Sequence, residues 1–344
     1  MIAKKILVTG GLGYIGSHTC VELIQQDFEV LIVDNLSNSS IEVLDGIKSI
    51  TGKSPEFLKI DLRNRSKVNQ LFEEHPDLSG IIHFAASKAV GESVNEPLLY
   101  YDNNLGSLIY LLQSIEKKAA AFPFIFSSSC TVYGQADRMP ITEQAPIKKA
   151  ESPYGNTKQI GEEILYDNTL SNDKLKVIAL RYFNPIGSHP SNKIGELPKG
   201  KPQNLIPFIT QTAAGIHEKL SVYGDDYPTP DGTCIRDYIH VVDLAKAHVV
   251  GLKRMIANEQ TENFEVFNLG TGKGNSVMEV IKVFEEISGV SLNYEVVSRR
   301  DGDIVEAYAD TTKANEILGW KAENDLRYAL ETAWEWEKKL RGIN

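Results

Sequence analysis

Short apolar runs alternate with helix-length segments along the first half of the chain. The runs are rich in Val, Ile and Phe and lack regular polar alternation, which is typical of strands covered on both faces in a parallel sheet. They occupy Lys5–Thr9, Glu29–Asp34, Gly80–Ala85, Pro123–Ser127 and Lys176–Arg181, with a weaker run at Glu56–Lys59. Helices are predicted near Tyr14–Gln26, Arg65–Glu74, Glu96–Lys118 and Pro153–Leu170. The alternation predicts an α/β fold built on a Rossmann-type, doubly wound parallel sheet.

The pattern changes after Tyr182, where a stretch rich in Pro and Gly indicates loops over residues 182–203. Shorter and more mixed elements follow, at Asn204–Gly215, Leu220–Tyr223, Asp243–Ile256, Glu265–Asn268, Ser276–Ile287, Asn293–Val297 and Leu326–Leu340. We therefore predict a large domain over residues 1–182 and a smaller mixed α/β lobe over 183–344, with the chain free to cross between them. Ligands of open α/β sheets bind at the carboxyl ends of the strands, so we expect the site between that edge and the smaller lobe.

Composition and charge exclude several classes of function. The formal net charge is -10, from 36 Lys+Arg against 46 Asp+Glu, which argues against binding to nucleic acid or to anionic membranes. The three scattered cysteines predict no disulfide framework, and neither cysteine nor histidine spacing predicts a metal site. No secretion signal precedes the first strand, and no window approaches the roughly 20 apolar residues of a membrane span. We expect a cytoplasmic protein.

A glycine-rich loop joins the first strand to the first helix. In the pattern Gly10-x-x-Gly13-x-x-Gly16, the three glycines permit a tight turn, close approach to a pyrophosphate and close helix packing, respectively. The free N–H groups at the helix start, around Tyr14 and Ile15, would point at the phosphates. The loop predicts a dinucleotide site.

Acidic residues at the ends of the next two strands refine this prediction. Asp34, followed by Asn35, can accept hydrogen bonds from the adenosine ribose and would repel a 2′-phosphate, which favours NAD over NADP. Asp61 and Leu62 follow the third strand and could flank the adenine, although an acidic residue there is also common in a plain loop.

Tyr154 and Lys158 lie four residues apart at a helix start, with Ser152 as a plausible N-cap and Pro153 in the first turn. This spacing puts both side chains on one face of the helix. A tyrosine pKa of about 10 would be lowered by the lysine ammonium and by an oxidised nicotinamide, so that the phenolate accepts a hydroxyl proton. Ser129, at another strand end, could hydrogen-bond the same oxygen.

These motifs resemble the extended short-chain dehydrogenase/reductase family, and longer segments resemble the UDP-glucose 4-epimerases within it. The resemblance runs from Ile6 to about Trp336. Its most specific segments are His83–Ser93, Tyr100–Asn104, Phe126–Gly134, Leu180–Pro185, Gly232–Val241 and Phe267–Gly272.

The resemblance implies further ligand contacts. Residues implied to bind NAD, besides those above, are Leu36, Ser37, Asn38, Ser39, Phe84, Ala85, Ala86, Ser87, Lys88, Asn103 and Phe183. Residues implied to bind a UDP-sugar, besides Ser129 and Tyr154, are Asn184, Asn204, Leu205, Ser221, Val222, Tyr223, Arg236, Arg300, Asp303 and Ala307. Among these, the two arginines would hold the diphosphate, and Asp303 would accept from the uridine ribose.

The implied activity is inversion at C4 of the sugar through a 4-keto intermediate, with Tyr154 as the base and with hydride passing to NAD and back. At the position of Ala307 the family uses a large tyrosine to restrict the pocket to plain hexoses. A small residue there predicts that N-acetylated UDP-sugars are also accepted, although Tyr308 is the next residue. The family also implies a homodimer formed by the helices Glu96–Lys118 and Pro153–Leu170.

Two other functions remain to be weighed. A nucleotide-sugar 4,6-dehydratase or decarboxylase resembles this chain, but the dehydratases carry an Asp-Glu pair where Cys130 and Thr131 stand here. A non-catalytic NAD-sensing protein of the same fold would be expected to lose the tyrosine or the lysine, and both are present.

Overall fold

A seven-stranded parallel sheet forms the larger part of the computed structural model, which describes residues 4–118, 120–300 and 302–343. Its strands run in the order β3-β2-β1-β4-β5-β6-β10. They are β1 Lys5–Thr9, β2 Glu29–Asp34, β3 Glu56–Lys59, β4 Leu78–His83, β5 Phe122–Ser129, β6 Leu175–Tyr182 and β10 Phe264–Leu269. This topology confirms the predicted doubly wound α/β fold.

Helices cover both faces of this sheet. One face carries α1 Tyr14–Gln25, α2 Val43–Thr51 and α9 Val241–Ile256, and the other carries α3 Arg65–Glu74, α6 Ser107–Ile115 and α7 Pro153–Ser171. Because strand side chains alternate between faces, Ile6 and Val8 pack into the first layer while Leu7 packs into the second. The continuous apolar runs in the sequence follow from this two-sided burial.

The helix predicted over Glu96–Lys118 is interrupted. The chain forms α4 Val90–Asn95, α5 Pro97–Tyr101, a π-helical turn over Asp102–Gly106, and then α6. Pro97 starts a new helix because it has no N–H to donate to the preceding turn. The wide π turn inserts extra backbone beside the loop that follows β4, and such turns are frequent at functional sites.

The smaller lobe contains short strands and three helices. The strands are β7 Asn184–Ile186, β8 Leu220–Tyr223, β9 Ile235–His240, β11 Gly274–Ser276, β12 Tyr294–Val297 and β13 Glu306–Ala307. β9 pairs with β7, β11 and β13, and β8 pairs with β12. The helices are α8 Leu205–Ala213, α10 Val277–Ser288 and α11 Leu326–Arg341. α10 begins with a capping box, in which Ser276 and Glu279 bond each other's backbone N–H.

One strand from the second half of the chain lies in the large sheet, and one helix packs with the helices that cover it. β10 pairs in parallel with β6, and α9 packs against α1. The chain therefore crosses back between the lobes, and the division at residue 182 stays a prediction for the remaining segments. Among the described helices, none has the length and apolar character required to cross a membrane.

Burial on β5 makes a direct prediction about stability. Ile125 is fully buried between β4 and β6, so Ile125→Ala should lower the free energy of unfolding by about 2–5 kcal/mol. The matched change Ile216→Ala, at a side chain that is 44% exposed, should alter it by less than about 0.5 kcal/mol. Urea unfolding followed by circular dichroism measures both; equal losses in the two variants would contradict the assigned core.

Candidate active site

The glycine loop is shaped by close backbone contacts. Gly10 has φ +67°, and a Cβ there would lie 2.8 Å from the Ala85 backbone nitrogen. A Cβ at Gly16 would collide with the Gly10 carbonyl oxygen, so this position fixes how closely α1 approaches the loop. Gly13 precedes the helix as its N-cap, and the helix starts at Tyr14 and Ile15. Their N–H groups lie in the first turn, where the helix itself provides no acceptors.

Asp34 ties the loop after β2 to the glycine loop. Its carboxylate accepts hydrogen bonds from Leu12 N at 3.2 Å, Leu36 N at 2.9 Å and Ser39 Oγ at 2.7 Å. Within the same loop, Asn35 accepts from Ser37 N at 2.9 Å. A carboxylate offers about four acceptor positions, so Asp34 keeps capacity for one further donor. Asn38 lies exposed at the tip of this loop.

The acid after β3 has a partner that the sequence analysis did not assign. Asp61 forms an ion pair with Arg63 at 2.7 Å, and this partner holds the pKa of Asp61 below its usual range. Asn35 also hydrogen-bonds Asp61, so the loops after β2 and β3 are adjacent. Leu62 is buried beside them in the sheet core.

The loop after β4 is held by the π turn. Phe84 and Ala85 donate their N–H groups to Thr9, the last residue of β1. Further along, Asn103 donates to Ser87 Oγ at 3.0 Å. Ala86 and Lys88 lie in the same loop, partly or largely exposed, and the Lys88 ammonium lies 3.5 Å from Glu196.

Asn104 is a site residue that the sequence analysis missed. Its side chain accepts from Ser87 N at 2.8 Å and donates to Ser87 O and Thr157 Oγ1, each at 3.0 Å. It therefore joins the loop after β4 to α7. Asn104 ends the segment Tyr100–Asn104 that the sequence analysis singled out as a whole, but its own role depends on contacts with Ser87 and Thr157, which are distant in sequence.

Ser129, Tyr154 and Lys158 meet at the carboxyl edge of the sheet. Ser152 caps α7 by accepting from Gly155 N at 3.1 Å, and the helix places Tyr154 and Lys158 on its buried face. The Lys158 ammonium donates to Ser127 O at 2.7 Å and lies 5.9 Å from the centre of the Tyr154 ring. Ser129 lies near the Tyr154 hydroxyl and acts to lower its pKa. All three side chains are buried, as the predicted catalytic group requires.

The lowered Tyr154 pKa expected from the sequence depends on an oxidised nicotinamide as well as on the lysine, and in the protein alone the pKa shifts the other way. Burial raises the pKa of Tyr154 well above its usual value, and the nearby Ser129 opposes that effect only in part. Burial also lowers the pKa of Lys158 to about 8, while the nearby Glu162 carboxylate acts in the opposite direction. Desolvation is therefore the largest influence on the pKa of the phenol in the protein alone.

Residues after β6 border the same edge. Phe183 is buried, donates its N–H to Leu269 O at 3.1 Å, and packs in a cluster with Cys130 and Ala307. Asn184 follows as the first residue of β7. This cluster joins the sheet edge to the smaller lobe, where the cleft was expected.

Four predicted UDP-binding residues come together in the smaller lobe. Asp303 bonds Arg300 at 2.9 Å and lies 3.8 Å from the Arg236 guanidinium. The Arg300 guanidinium stacks over the Tyr223 ring, 4.8 Å from its centre. Asp303 was expected to accept from a ribose; in the protein alone its carboxylate lies between the two arginines instead.

The remaining predicted substrate residues differ in exposure. Asn204 donates to Glu196 at 2.9 Å, and Leu205 begins α8 directly after it. On β8, the Val222 side chain is buried in the core of the smaller lobe, so only its backbone can face a ligand. Ser221 and Tyr223 alternate with it and are more exposed.

Ala307 faces inward on β13. It is buried in a cluster with Phe183 and with Cys130, the residue that follows Ser129. Tyr308 points away from this cluster, since its ring lies against Gly274. Strand alternation thus assigns the inward position to the alanine and not to the tyrosine.

Known proteins resemble the whole chain. A family model described as GDP-mannose 4,6 dehydratase matches residues 7–332. The UDP-glucose 4-epimerase of Bacillus subtilis (strain 168) is 49% identical over 332 residues, which are 96% of this chain and 96% of that protein.

Two solved structures share the fold over their full length. The UDP-glucose-4-epimerase of Stenotrophomonas maltophila, with bound NAD and formylated UDP-arabinopyranose, is 45% identical with a TM-score of 0.94, covering 99% of this chain and 100% of that one. The enzyme of Bifidobacterium longum, in complex with NAD+ and UDP, is 44% identical with a TM-score of 0.93 and the same coverage. The chain belongs to the UDP-glucose 4-epimerase family, within the extended short-chain dehydrogenase/reductases.

Proposed function

We propose that this protein is an NAD-dependent isomerase that interconverts UDP-galactose and UDP-glucose. The observation that carries the proposal is the meeting of Ser129, Tyr154 and Lys158 at the sheet edge, between the glycine loop and the arginine pair of the smaller lobe. One end of this cleft suits a dinucleotide, the other suits a nucleotide diphosphate, and the proton-transfer group lies between them.

The residues at the first end fit NAD. The turn at Gly10 and the close packing at Gly16 leave the start of α1 open to a pyrophosphate, and Asp34 keeps acceptor capacity for a ribose hydroxyl. Bound NAD supplies an acceptor for the C4 hydride and a positive charge near Tyr154. The remaining predicted NAD contacts, from Leu36 to Ser39 and from Phe84 to Lys88, with Asn103 and Phe183, are part of this proposal.

The chain's own residues perform binding and proton transfer. Arg236 and Arg300 hold the diphosphate by charge-assisted hydrogen bonds, which leaves the sugar free to turn about its link to UDP. Tyr154 removes the C4 hydroxyl proton and later returns it, while Ser129 hydrogen-bonds the same oxygen. Lys158 keeps positive charge behind the phenol. If the 4-keto sugar rotates before the hydride returns, the hydride adds to its opposite face and the product has C4 inverted.

The dehydratase alternative lacks its acid. Elimination of water needs a carboxyl acid beside the catalytic serine, and Cys130 and Thr131 occupy that stretch. Burial raises the pKa of the Cys130 thiol to about 11, so it is a poor acid at neutral pH. Although the family model carries a dehydratase's description, these two residues favour epimerisation. The intact pair of Tyr154 and Lys158 likewise argues against a non-catalytic NAD sensor.

A homodimer in the cytoplasm completes the proposal. Apolar side chains stand exposed on the α4–α6 segment and on the adjacent α7, with Leu98 at 80% and Leu170 at 71% exposure. Val94 and Ile109 are further exposed apolar side chains of the α4–α6 segment. A contiguous exposed apolar surface of this kind is typical of a protein interface, and two copies paired through it would form a four-helix bundle.

Tyr154→Phe tests the reaction itself. With NAD supplied, wild-type protein should convert UDP-galactose to UDP-glucose, and the variant should lose at least about 100-fold in kcat, because no base remains to accept the proton. Chromatography of the sugar nucleotides measures both. Tyr166→Phe, the same chemical change at a half-exposed position of α7, is the matched control and should keep its activity. A product that has lost water, or no turnover by wild type, would refute the proposal.

Ala307→Tyr tests the breadth of the pocket. Wild type should also interconvert UDP-GlcNAc and UDP-GalNAc, because the inward-facing residue of β13 is small. The added ring should lower kcat/KM for the N-acetylated substrates by at least about 10-fold, because it takes space that the N-acetyl group needs. UDP-galactose, which lacks that group, should still be converted. Equal retention of both activities in the variant would show that Ala307 does not bound the sugar pocket.

Charge on the exposed apolar surface tests the dimer. Leu98→Glu combined with Leu170→Glu should convert a dimer to a monomer, because carboxylates cannot be buried there without a partner. Sedimentation equilibrium gives the mass. Ile216→Glu, at an exposed isoleucine away from this surface, should leave the dimer intact. A wild-type protein that sediments as a monomer would overturn this part of the proposal.

A further inference from the structure

Glu162 continues a row of polar side chains along the buried face of α7. It follows Lys158 by four residues and Tyr154 by eight, and this spacing keeps all three on one side of the helix. Glu162 is only 7% exposed. A carboxylate this deeply buried needs both charge compensation and hydrogen bonds.

Neighbouring strands supply those partners. Ser128 Oγ donates to Glu162 Oε1 at 2.5 Å, and Arg181 binds both carboxylate oxygens, at 2.9 Å through Nε and 2.5 Å through Nη2. Ser128 and Arg181 are paired across β5 and β6, so both approach from one face of the sheet. Arg181 donates a further bond to Tyr133 OH at 3.0 Å.

Three consecutive serines of β5 thus lie against three successive turns of α7. The carbonyl of Ser127 accepts from Lys158 and Ser128 donates to Glu162, while Ser129 lies near Tyr154 and acts to lower its pKa. At Gly161 the helix lies so close to the strand that a Cβ would be 2.8 Å from the Phe126 ring. Glu162 therefore locks the helix at the height that brings Tyr154 to the sheet edge.

We propose that Glu162 is a positioning residue for the epimerase reaction, fixing α7 against β5 and supplying the negative charge that keeps the buried Lys158 ammonium cationic. The catalytic part of this inference rests on the proposed function. The residue acts through Lys158 and makes no contact of its own with the reacting atoms.

The charges around Lys158 support this role. Burial lowers the pKa of Lys158 to about 8, and Glu162 is the carboxylate that opposes the shift. Other titratable groups of the described residues face this region from the neighbouring strands and helices. They are His83 on β4, Cys130 and Tyr133 after β5, Arg181 and Tyr182 on β6, Tyr100 on α5, and Tyr154 on α7. Burial, with a contribution from Lys158, lowers the pKa of His83 to about 3, so this ring is neutral at neutral pH.

Glu162→Gln removes the charge and keeps an oxygen to accept from Ser128. Loss of the carboxylate lowers the pKa of Lys158 further, so the ammonium deprotonates at lower pH. We expect the alkaline limb of the kcat profile for UDP-galactose to move down by about 1 pH unit. NMR of lysine side chains labelled with ¹³C at Cε, with Lys158→Ala for assignment, should show the Lys158 titration moving by the same amount.

Two further variants separate charge from structure. Ser128→Ala removes a hydrogen bond but leaves the Glu162 carboxylate, so the alkaline limb of the kcat profile should stay at its wild-type pH. Because Glu162→Gln leaves Arg181 unpaired, the double variant Glu162→Gln with Arg181→Met provides a neutral, packed site if the single variant does not fold, and the Lys158 titration should remain shifted in it. The inference would be overturned if the double variant kept the wild-type Lys158 titration and the wild-type alkaline limb of the kcat profile. Glu162 would then serve only to neutralise Arg181. Absence of epimerase activity in wild type refutes the proposed function, while the NMR titration still decides the role of Glu162.

Discussion

The buried ammonium group of Lys158 is the constraint on which the geometry of the active site depends. A cation that is almost wholly removed from water must find its partners within the protein. Here they are the Ser127 carbonyl at 2.7 Å and the face of the Phe126 ring at 5.0 Å, and the charge of Glu162, one turn along the helix, acts on the ammonium without a direct ion pair. Both partners belong to β5, a central strand, so α7 has one height at which the lysine is satisfied. At that height Tyr154 reaches the carboxyl edge.

Charge is handled in the same way at the other end of the cleft. Arg236 and Arg300 would repel each other if Asp303 did not lie between them, and stacking on Tyr223 further restrains Arg300. The arginines are thereby held in place before a diphosphate arrives, so little side-chain entropy remains to be lost on binding. Under the proposed function, an arriving phosphate would compete with Asp303 for the arginines, and the carboxylate would then have capacity to accept from a hydroxyl.

Local spacing in the sequence predicted the elements that carry the candidate site residues. The glycine loop, Asp34 at the end of β2, and the four-residue step from Tyr154 to Lys158 all depend on neighbours in the chain. Local spacing failed where long-range contacts decide. The π turn exists beside Ser87 and Thr157, which are far from Asn104 in sequence, and the place of β10 next to β6 could not be inferred from its own residues. The partners of Glu162 likewise come from two other strands.

The raised pKa of Tyr154 bears on when the site can act. Burial raises the pKa of the phenol in the protein alone, and Ser129 opposes that effect only in part. A phenolate therefore requires additional positive charge close to the ring, which is what an oxidised nicotinamide at the sheet edge provides. The same burial excludes water that would compete for the proton. In the proposed reaction an oxidised dinucleotide beside the ring therefore supplies the positive charge that favours the phenolate, and the same dinucleotide accepts the hydride.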